Sequence, residues 1–554
     1  MDNKMEKFNI LSKRLGGTPL LFVFLSFCWI AGCESLDKYP LDSLSTGTFW
    51  KTETDAMLGL TGVYKVAGGL QQGNYDIWSQ LACLYLFEAT TDNGFEKDNQ
   101  VTDFNNGSLA STYGPVKSLW ANTYTHISRC NNFIENIDAV VMNANKLAEM
   151  KSEVKVIRAY DYFNLYFYWG DVPLTTNVLT VNDANNIFRT SRGEVADFVI
   201  KELQEAIPQL PITRPDAEQG RITRGGALAI LGRVLMAEKR WVEARDVYKQ
   251  IIDMGIYIID PRFKEIFEEK GESSKEHILV SVRMQEVYGT PMLRGCHGFD
   301  YGGYHWFSPY NQLVEEFECI DGKPISESPL YDPENPYNNR DPRLYKTIGI
   351  NGLTVFKGKL YISHPDSSAV KYQDQVTRRP WSGYLLHKFS DGNYTGPITQ
   401  YGGDFPMIRY AEVLLSYLES CIESGTPVTK DLLDVTINKV RGRAEIQMPS
   451  VTEIDPAKLT TILRRERRVE LAWEGLRLYD LFRWRIAHNN LKGTFTGMKV
   501  CPASQAATYK TVKVDAKGYY FCEETNFREN VDYLWPIPQS ERDVNPNLTQ
   551  NPGY

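Results

Sequence analysis

LGRVLMAEKRWVEARDVYKQIIDMG, residues 231–255, is the stretch whose reading decides the fold. Upstream of it Thr223 is a candidate N-cap, and Ala227, Leu228, Leu231, Val234 and Leu235 follow down one helical face with Gly232 beside them. After a short polar break, Trp241, Ala244, Val247, Tyr248 and Ile251 mark the apolar face of a second helix. Gly255 ends it, because glycine takes the left-handed cap conformation without a side-chain penalty. Two short antiparallel helices cannot bury their apolar faces alone, so the chain must supply neighbours.

The unit resembles a tetratricopeptide repeat. Its candidate neighbours are residues 146–169 with 192–206, and 405–424 with 429–443, each pair showing helical spacing. The expected fold class is all-α, a tetratricopeptide-like scaffold of helix pairs with long loop-rich insertions. The main insertion, about 288–400, is rich in Gly, Pro, Tyr, Asn and Asp and reads as loops and short strands. Long loops on a rigid scaffold are where binding residues gather.

Charge and cysteine usage narrow the function classes. A net charge of -8 means that binding nucleic acid would work against the phosphate charge, so that class is set aside. The nine cysteines are scattered without CxxC, which argues against a zinc cluster or a dense disulfide framework. Cys501 and Cys522 can pair in an oxidising compartment only if their geometry allows it.

The N-terminus reads as an export signal. Lys4, Lys7, Lys13 and Arg14 precede an apolar run from Leu20 to Ile30 that is too short to span a bilayer. The run ends in Ile30-Ala31-Gly32-Cys33, which resembles a bacterial lipobox. Residues 1–32 are then a lipoprotein signal peptide and Cys33 the lipidated first residue, held to a membrane by several acyl chains such as palmitate. Residues 33–554 are expected to form a single domain.

Several motifs carry possible chemistry. Glu466, Glu470 and Glu474 recur four apart, but Arg467, Arg477 and Arg483 alternate with them, which suits salt bridges that hold the helix to the scaffold better than catalysis. The seven His include no HExxH, so no metal site and no cofactor is expected. The segment Thr91-Asp92-Asn93-Gly94, with Glu96, Asp98, Asn99 and Asp103, has enough oxygen for calcium but lacks EF-hand spacing, and reads as a solvated loop.

Two aromatic segments are candidate ligand platforms. In YGTPMLRGCHGFDYGGYHWFSPY, residues 288–310, glycines break any helix around Tyr301, Tyr304, His305 and Trp306, so some of these rings are expected at the surface. An earlier loop offers Tyr75, Trp78, Asp92, Asn93 and Phe95. A pyranose has an apolar C–H face and a rim of hydroxyls, which a flat ring and polar side chains can hold together. Each ring also fits a helix-bundle core.

An ordered series of motifs runs along the whole chain: CESLDKYPLD (33–42), FWKTETDAMLGLTGVY (49–64), RCNNFIENID (129–138), VIRAYDYFNLYFYWGDVPL (156–174), DGKPISESPLYDP (321–333), RDPRL (340–344), DFPMIRYAEVLLSYLES (404–420), RRERRVELAWEGLRLYDLFRW (464–484) and YLWPIPQSERDVNPNLTQNPGY (533–554). In this order they resemble the SusD/RagB family of outer-membrane nutrient-binding lipoproteins. The resemblance implies a cell-surface glycan-binding protein, not an enzyme, whose two aromatic segments converge on an oligosaccharide. It also implies a SusC-like TonB-dependent outer-membrane barrel as partner. A RagB-like minority of the family takes peptides, and a glycoside hydrolase with two facing carboxylates is the rival from another class.

Overall fold

Side-chain caps set the helix boundaries. The computed structural model describes residues 49–66, 73–98, 100–367, 374–378 and 381–554; the export segment, Cys33 and Asn99 lie outside them. Helix α1 (Glu53–Tyr64) opens on a capping box in which the Thr52 hydroxyl accepts the Asp55 N–H and the Asp55 carboxylate accepts the Thr52 N–H. Helix α2 (Gln80–Leu86) is capped by Ser79 and is buried throughout. Helices α3 (Gly114–Asn136) and α4 (Ala144–Trp169) pack together, and α4 in turn packs on α5 (Arg192–Ala206), which begins on the Ser191/Glu194 capping box.

The deciding unit forms as its sequence predicts. In α6 (Arg224–Ala237) the Thr223 hydroxyl accepts the Gly226 N–H, and α7 (Trp241–Asp253) is followed by Gly255 at φ 66°. A Cβ at Gly232 would lie 2.4 Å from the Tyr248 ring, so the crossing closes this tightly only on glycine. Helix α7 then packs on α8 (Tyr410–Glu423).

Two expectations need correction. Residues 405–409, expected to begin a helix, form a strand, because Pro406 biases Phe405 toward extended backbone and the segment pairs with 277–281. The helix expected over 429–443 is two short ones, Lys430–Val435 and Ile437–Arg441, broken at Thr436, whose hydroxyl bonds back to the Leu432 carbonyl. Helices α9 (Pro456–Glu470) and α10 (Arg477–Arg483) complete the scaffold.

Three antiparallel pairs stand out among the described strands. They are β1 (Gly94–Glu96) with β3 (Phe307–Pro309), β2 (His277–Ser281) with β4 (Phe405–Arg409), and β5 (Gly493–Lys499) with β6 (Tyr519–Thr525). They are insets in a helical body, and the all-α, tetratricopeptide-like class holds. The 288–400 insertion also carries short helices such as Met292–Cys296 and Asn311–Glu316. Cys501 and Cys522 are free thiols.

A buried charge network ties α9 to its surroundings. Glu470 meets Arg343 at 2.8 Å, Arg409 at 2.7 Å and Arg443 at 2.9 Å, all fully buried. Glu466 meets Arg441 at 2.8 Å, and Glu276 on β2 bridges Arg409 and Arg443 at 2.7 Å each. Arg467 pairs with Asp480 and Arg483 with Glu419. The charges are structural, but their partners come largely from other elements and not from one face of the same helix. Burial pushes the Glu470 carboxyl up, yet Arg409, Arg443 and Arg343 hold it well below the usual carboxylate range.

Candidate functional site: an open groove beside α1

A groove of about 570 Å³ opens where α1, the 219–222 loop and the chain leaving β2 face one another. Its α1 wall presents Met57, Leu60 and Tyr64. The Tyr64 hydroxyl donates to Glu153 at 2.6 Å and accepts the Ile222 N–H at 2.8 Å, so the wall is pinned to α4 and to the loop at once. Glu153 is fully buried and is also held by Arg221 at 2.6 Å and Arg214 at 3.0 Å.

Trp78 forms the back of the groove. Its indole N–H donates to Asp161 at 2.8 Å and its ring meets Tyr160 edge-on at 4.8 Å, which fixes the plane of the ring from behind. Its carbonyl accepts the Ser281 hydroxyl at the end of β2.

The facing lip is a tight hairpin in which Met284 pairs with Tyr288 across Glu286 at φ 65°. Arg283 is buried, donates to Gln80, Ser281 and the Val282 carbonyl, and sits 4.8 Å over the Tyr288 ring. Val282, Met284 and Val287 remain exposed, Val287 at 77%. The loop approaches this lip at Gly220, at φ 84°, where a Cβ would lie 2.1 Å from Val282 Cγ2. Among the described residues the groove lining holds no carboxylate, and it presents apolar surface, the rings of Tyr64, Trp78 and Tyr288 and the cationic side chains of Lys65, Arg221 and Arg283. Such a surface can hold a ligand by stacking and hydrogen bonds.

Of the residues predicted from sequence, Trp78 lies in this groove. Tyr304 is exposed elsewhere, with Arg294 4.0 Å from its ring centroid, and Tyr301 is half-buried against Phe356. Phe95 is half-buried and stacked on Tyr310. The others are corrections. Trp306, expected at the surface, is 5% exposed and packs on Gly295, where a Cβ would lie 2.5 Å from the indole. His305 is buried between Asp374 and the Tyr384 carbonyl and stacks on Trp381 at 4.4 Å. Tyr75 is buried against Tyr85.

Asp92 and Asn93, read as part of a solvated loop, are buried polar struts. Asp92 takes both branches of Arg477 at 2.7 Å and lies 3.2 Å from Arg468, while Asn93 accepts from Arg468 and donates to Glu88. The two aromatic segments do converge, but as the β1–β3 ladder with Phe95 opposite Ser308. The misleading signal was glycine. At Gly303 a Cβ would lie 2.1 Å from the His297 carbonyl oxygen, so this glycine marks a chain folded tightly on itself, not a surface loop. The 282–288 lip was missed. The exposed Val287 and Met284 beside Gly289 were its only signal, and short apolar stretches of that kind are common in strands.

Helices packed in successive antiparallel pairs, with loops and short strands set among them, place the chain among tetratricopeptide-like proteins. More narrowly, it belongs to the SusD family: residues 269–554 match that family's profile, and residues 55–236 match the related profile described as starch-binding associating with outer membrane. A SusD-like carbohydrate-binding protein of Bacteroides fragilis has 35% identity and a TM-score of 0.85, the match covering 91% of this chain and 100% of that one. SusD-like protein P2 of Formosa agariphila is 24% identical over 95% of this chain and 97% of its own length. The starch-binding protein SusD of Bacteroides thetaiotaomicron is 20% identical over 98% and 99%.

Proposed function

We propose that this chain is a glycan-binding protein of the outer-membrane surface that captures oligosaccharide in the α1 groove without covalent chemistry. The observation that carries the reading is the pair of braced rings, Trp78 held by Asp161 and Tyr288 held under Arg283, facing one open groove. A ring fixed from behind loses little freedom when a sugar stacks on it, so the apolar contact is not offset by ordering. The carbohydrate-binding relative from Bacteroides fragilis and the outer-membrane description of the N-terminal profile support the same reading.

Anchoring through lipid at Cys33 and delivery to a SusC-like TonB-dependent barrel complete the proposal. No described helix is long and apolar enough to cross a membrane, so inward passage of a captured ligand calls for a partner. Cys33→Ala is expected to leave the chain unprocessed or released, read by fractionation. Gentle detergent extraction of the tagged chain should co-purify a large β-barrel; recovery of the chain alone at low salt would count against delivery. The apolar lip of Val282, Met284 and Val287 also suits peptide side chains, which keeps the RagB-like reading as the alternative. An affinity screen of neutral and acidic oligosaccharides beside peptides decides between them: binding to oligosaccharide alone supports the proposal, and binding to peptide alone replaces it.

A further inference from the structure

Behind Trp78, away from the groove, three buried side chains of a metal-ligating kind meet. His126 and Cys130 stand four residues apart on one face of α3, and Asp161 reaches them from α4. One donor atom from each, imidazole nitrogen, thiol sulfur and carboxylate oxygen, falls within 4.8 Å of the others. All three residues are buried, His126 at 2% exposure and the other two at 0%.

The hydrogen bonding of the cluster is incomplete in a specific way. His126 Nδ1 and Asp161 Oδ2 are 3.0 Å apart but misaligned, and neither atom makes a hydrogen bond. They form a buried ion pair that lacks an aligned hydrogen bond, so the pair recovers less of its desolvation cost than an aligned one would. The second polar atom of each residue is already used. His126 Nε2 meets the Val63 carbonyl at the end of α1, which makes Nε2 a donor, so Nδ1 is the nitrogen that faces Asp161 and Cys130 and would ligate once it gave up its proton. Asp161 Oδ1 accepts the Trp78 indole N–H. An imidazole whose far nitrogen donates to a carbonyl, and a carboxylate oriented by a second donor, is how the outer shell of a metal site holds its ligands.

We propose that His126, Cys130 and Asp161 bind one divalent cation of the zinc class, and that this ion braces the wall of the groove. The donor set selects the ion. One nitrogen, one sulfur and one oxygen suit zinc or cobalt, whereas calcium and magnesium require shells of oxygen. Neutral imidazole, thiolate and carboxylate around a divalent ion sum to zero charge, the condition a fully buried site needs. On ligation the Cys130 thiol and the His126 imidazolium each give up one proton to solvent, and the sulfur–metal and nitrogen–metal bonds form in their place. Tetrahedral zinc sets neighbouring ligand atoms about 3.4–3.6 Å apart, so the 3.0 Å nitrogen–oxygen pair has to open by a few tenths of an ångström and donor atoms as far as 4.8 Å apart have to close by about 1 Å. The ion would link α1 through Val63, α3, α4 and Trp78. The site stands whatever the groove binds; only the bracing role rests on the proposed function.

The test uses the full mature chain without a histidine tag, produced with zinc in the medium. Elemental analysis should find roughly one zinc per chain, and cobalt in its place should give a near-ultraviolet thiolate-to-cobalt band. Cys130→Ala and Asp161→Asn should each lower the metal content at least tenfold. The melting temperature of wild type should fall on stripping with chelator and return with zinc. If a variant does not fold, the cobalt band of wild type still decides. Absence of bound metal and of that band would overturn the proposal and leave a plain buried His126–Asp161 ion pair. Metal retained in full by folded Cys130→Ala and Asp161→Asn would overturn it as well. Glycan affinity lost on stripping would support the bracing role, and unchanged affinity would remove that role while the site stands.

Discussion

Around α9 nearly every buried carboxylate faces a guanidinium, whereas the groove beside α1 is walled by apolar side chains and by rings, of which Trp78 and Tyr64 have their polar edges tied behind them. Both regions contain aromatic and charged residues in abundance. They differ in where the polar atoms find their partners. In the first, each partner is inside the protein, so the region can hold elements together but has nothing left to offer a ligand. In the second, faces and a few donors stay open, which is what recognition needs. Abundance of a residue type therefore says less about function than whether its bonding capacity is already used.

Attacking the charged region should produce the largest effects, and on stability alone. Glu470→Gln leaves Arg343, Arg409 and Arg443 short of a buried anion and should cost about 3–5 kcal/mol, read by urea denaturation, with ligand affinity of the folded fraction unchanged. Trp306→Ala should cost a similar ~3–5 kcal/mol by emptying a packed site, again without altering affinity. Affinity lost at unaltered stability in either variant would erase the distinction between the regions.

The pH dependence sharpens the same point. Glu470 has its folded-state carboxyl held below the ordinary 4.5 by arginines, so its stabilisation is complete above 4.5 and is lost as pH falls through the folded value. The stability gap between wild type and Glu470→Gln should stay constant from pH 8 to 5 and narrow below about 4.5. A gap that closes between pH 7 and 5 would mean that the arginines do not hold this carboxylate.

Smaller effects belong to the groove and its neighbours. Gly220→Ala places a side chain at φ 84° against Val282 and should cost about 1–2 kcal/mol while also weakening ligand binding, because the loop must withdraw from the lip. Tyr304→Ala, on an exposed ring outside the groove, should change stability by less than about 1 kcal/mol and leave affinity as it was.

What the sequence made legible was local. The Thr223 cap, the Gly255 stop and the small Gly232 at the crossing are short-range signals, and each recurs in the structure as read. The structural role of Glu466 and Glu470 was legible from their charged neighbours, but their partners Arg343, Arg409 and Arg443 lie 27 to 127 residues away and no spacing rule reaches them. The groove was legible only at Trp78, since its other walls come from α1, the 219–222 loop and the 282–288 lip, joined by tertiary packing. The same limit hid the His126, Cys130 and Asp161 cluster, whose third member comes from a different helix.

On this reading the groove, and not the buried aromatic segment, takes the ligand. Isothermal titration of Trp78→Ala beside wild type and Trp306→Ala, with an oligosaccharide that wild type binds, tests it most directly. Trp78→Ala should bind at least about tenfold more weakly, on the order of 1.4 kcal/mol, while folded Trp306→Ala should bind as wild type does. Undiminished affinity in Trp78→Ala, with loss in folded Trp306→Ala, would contradict it.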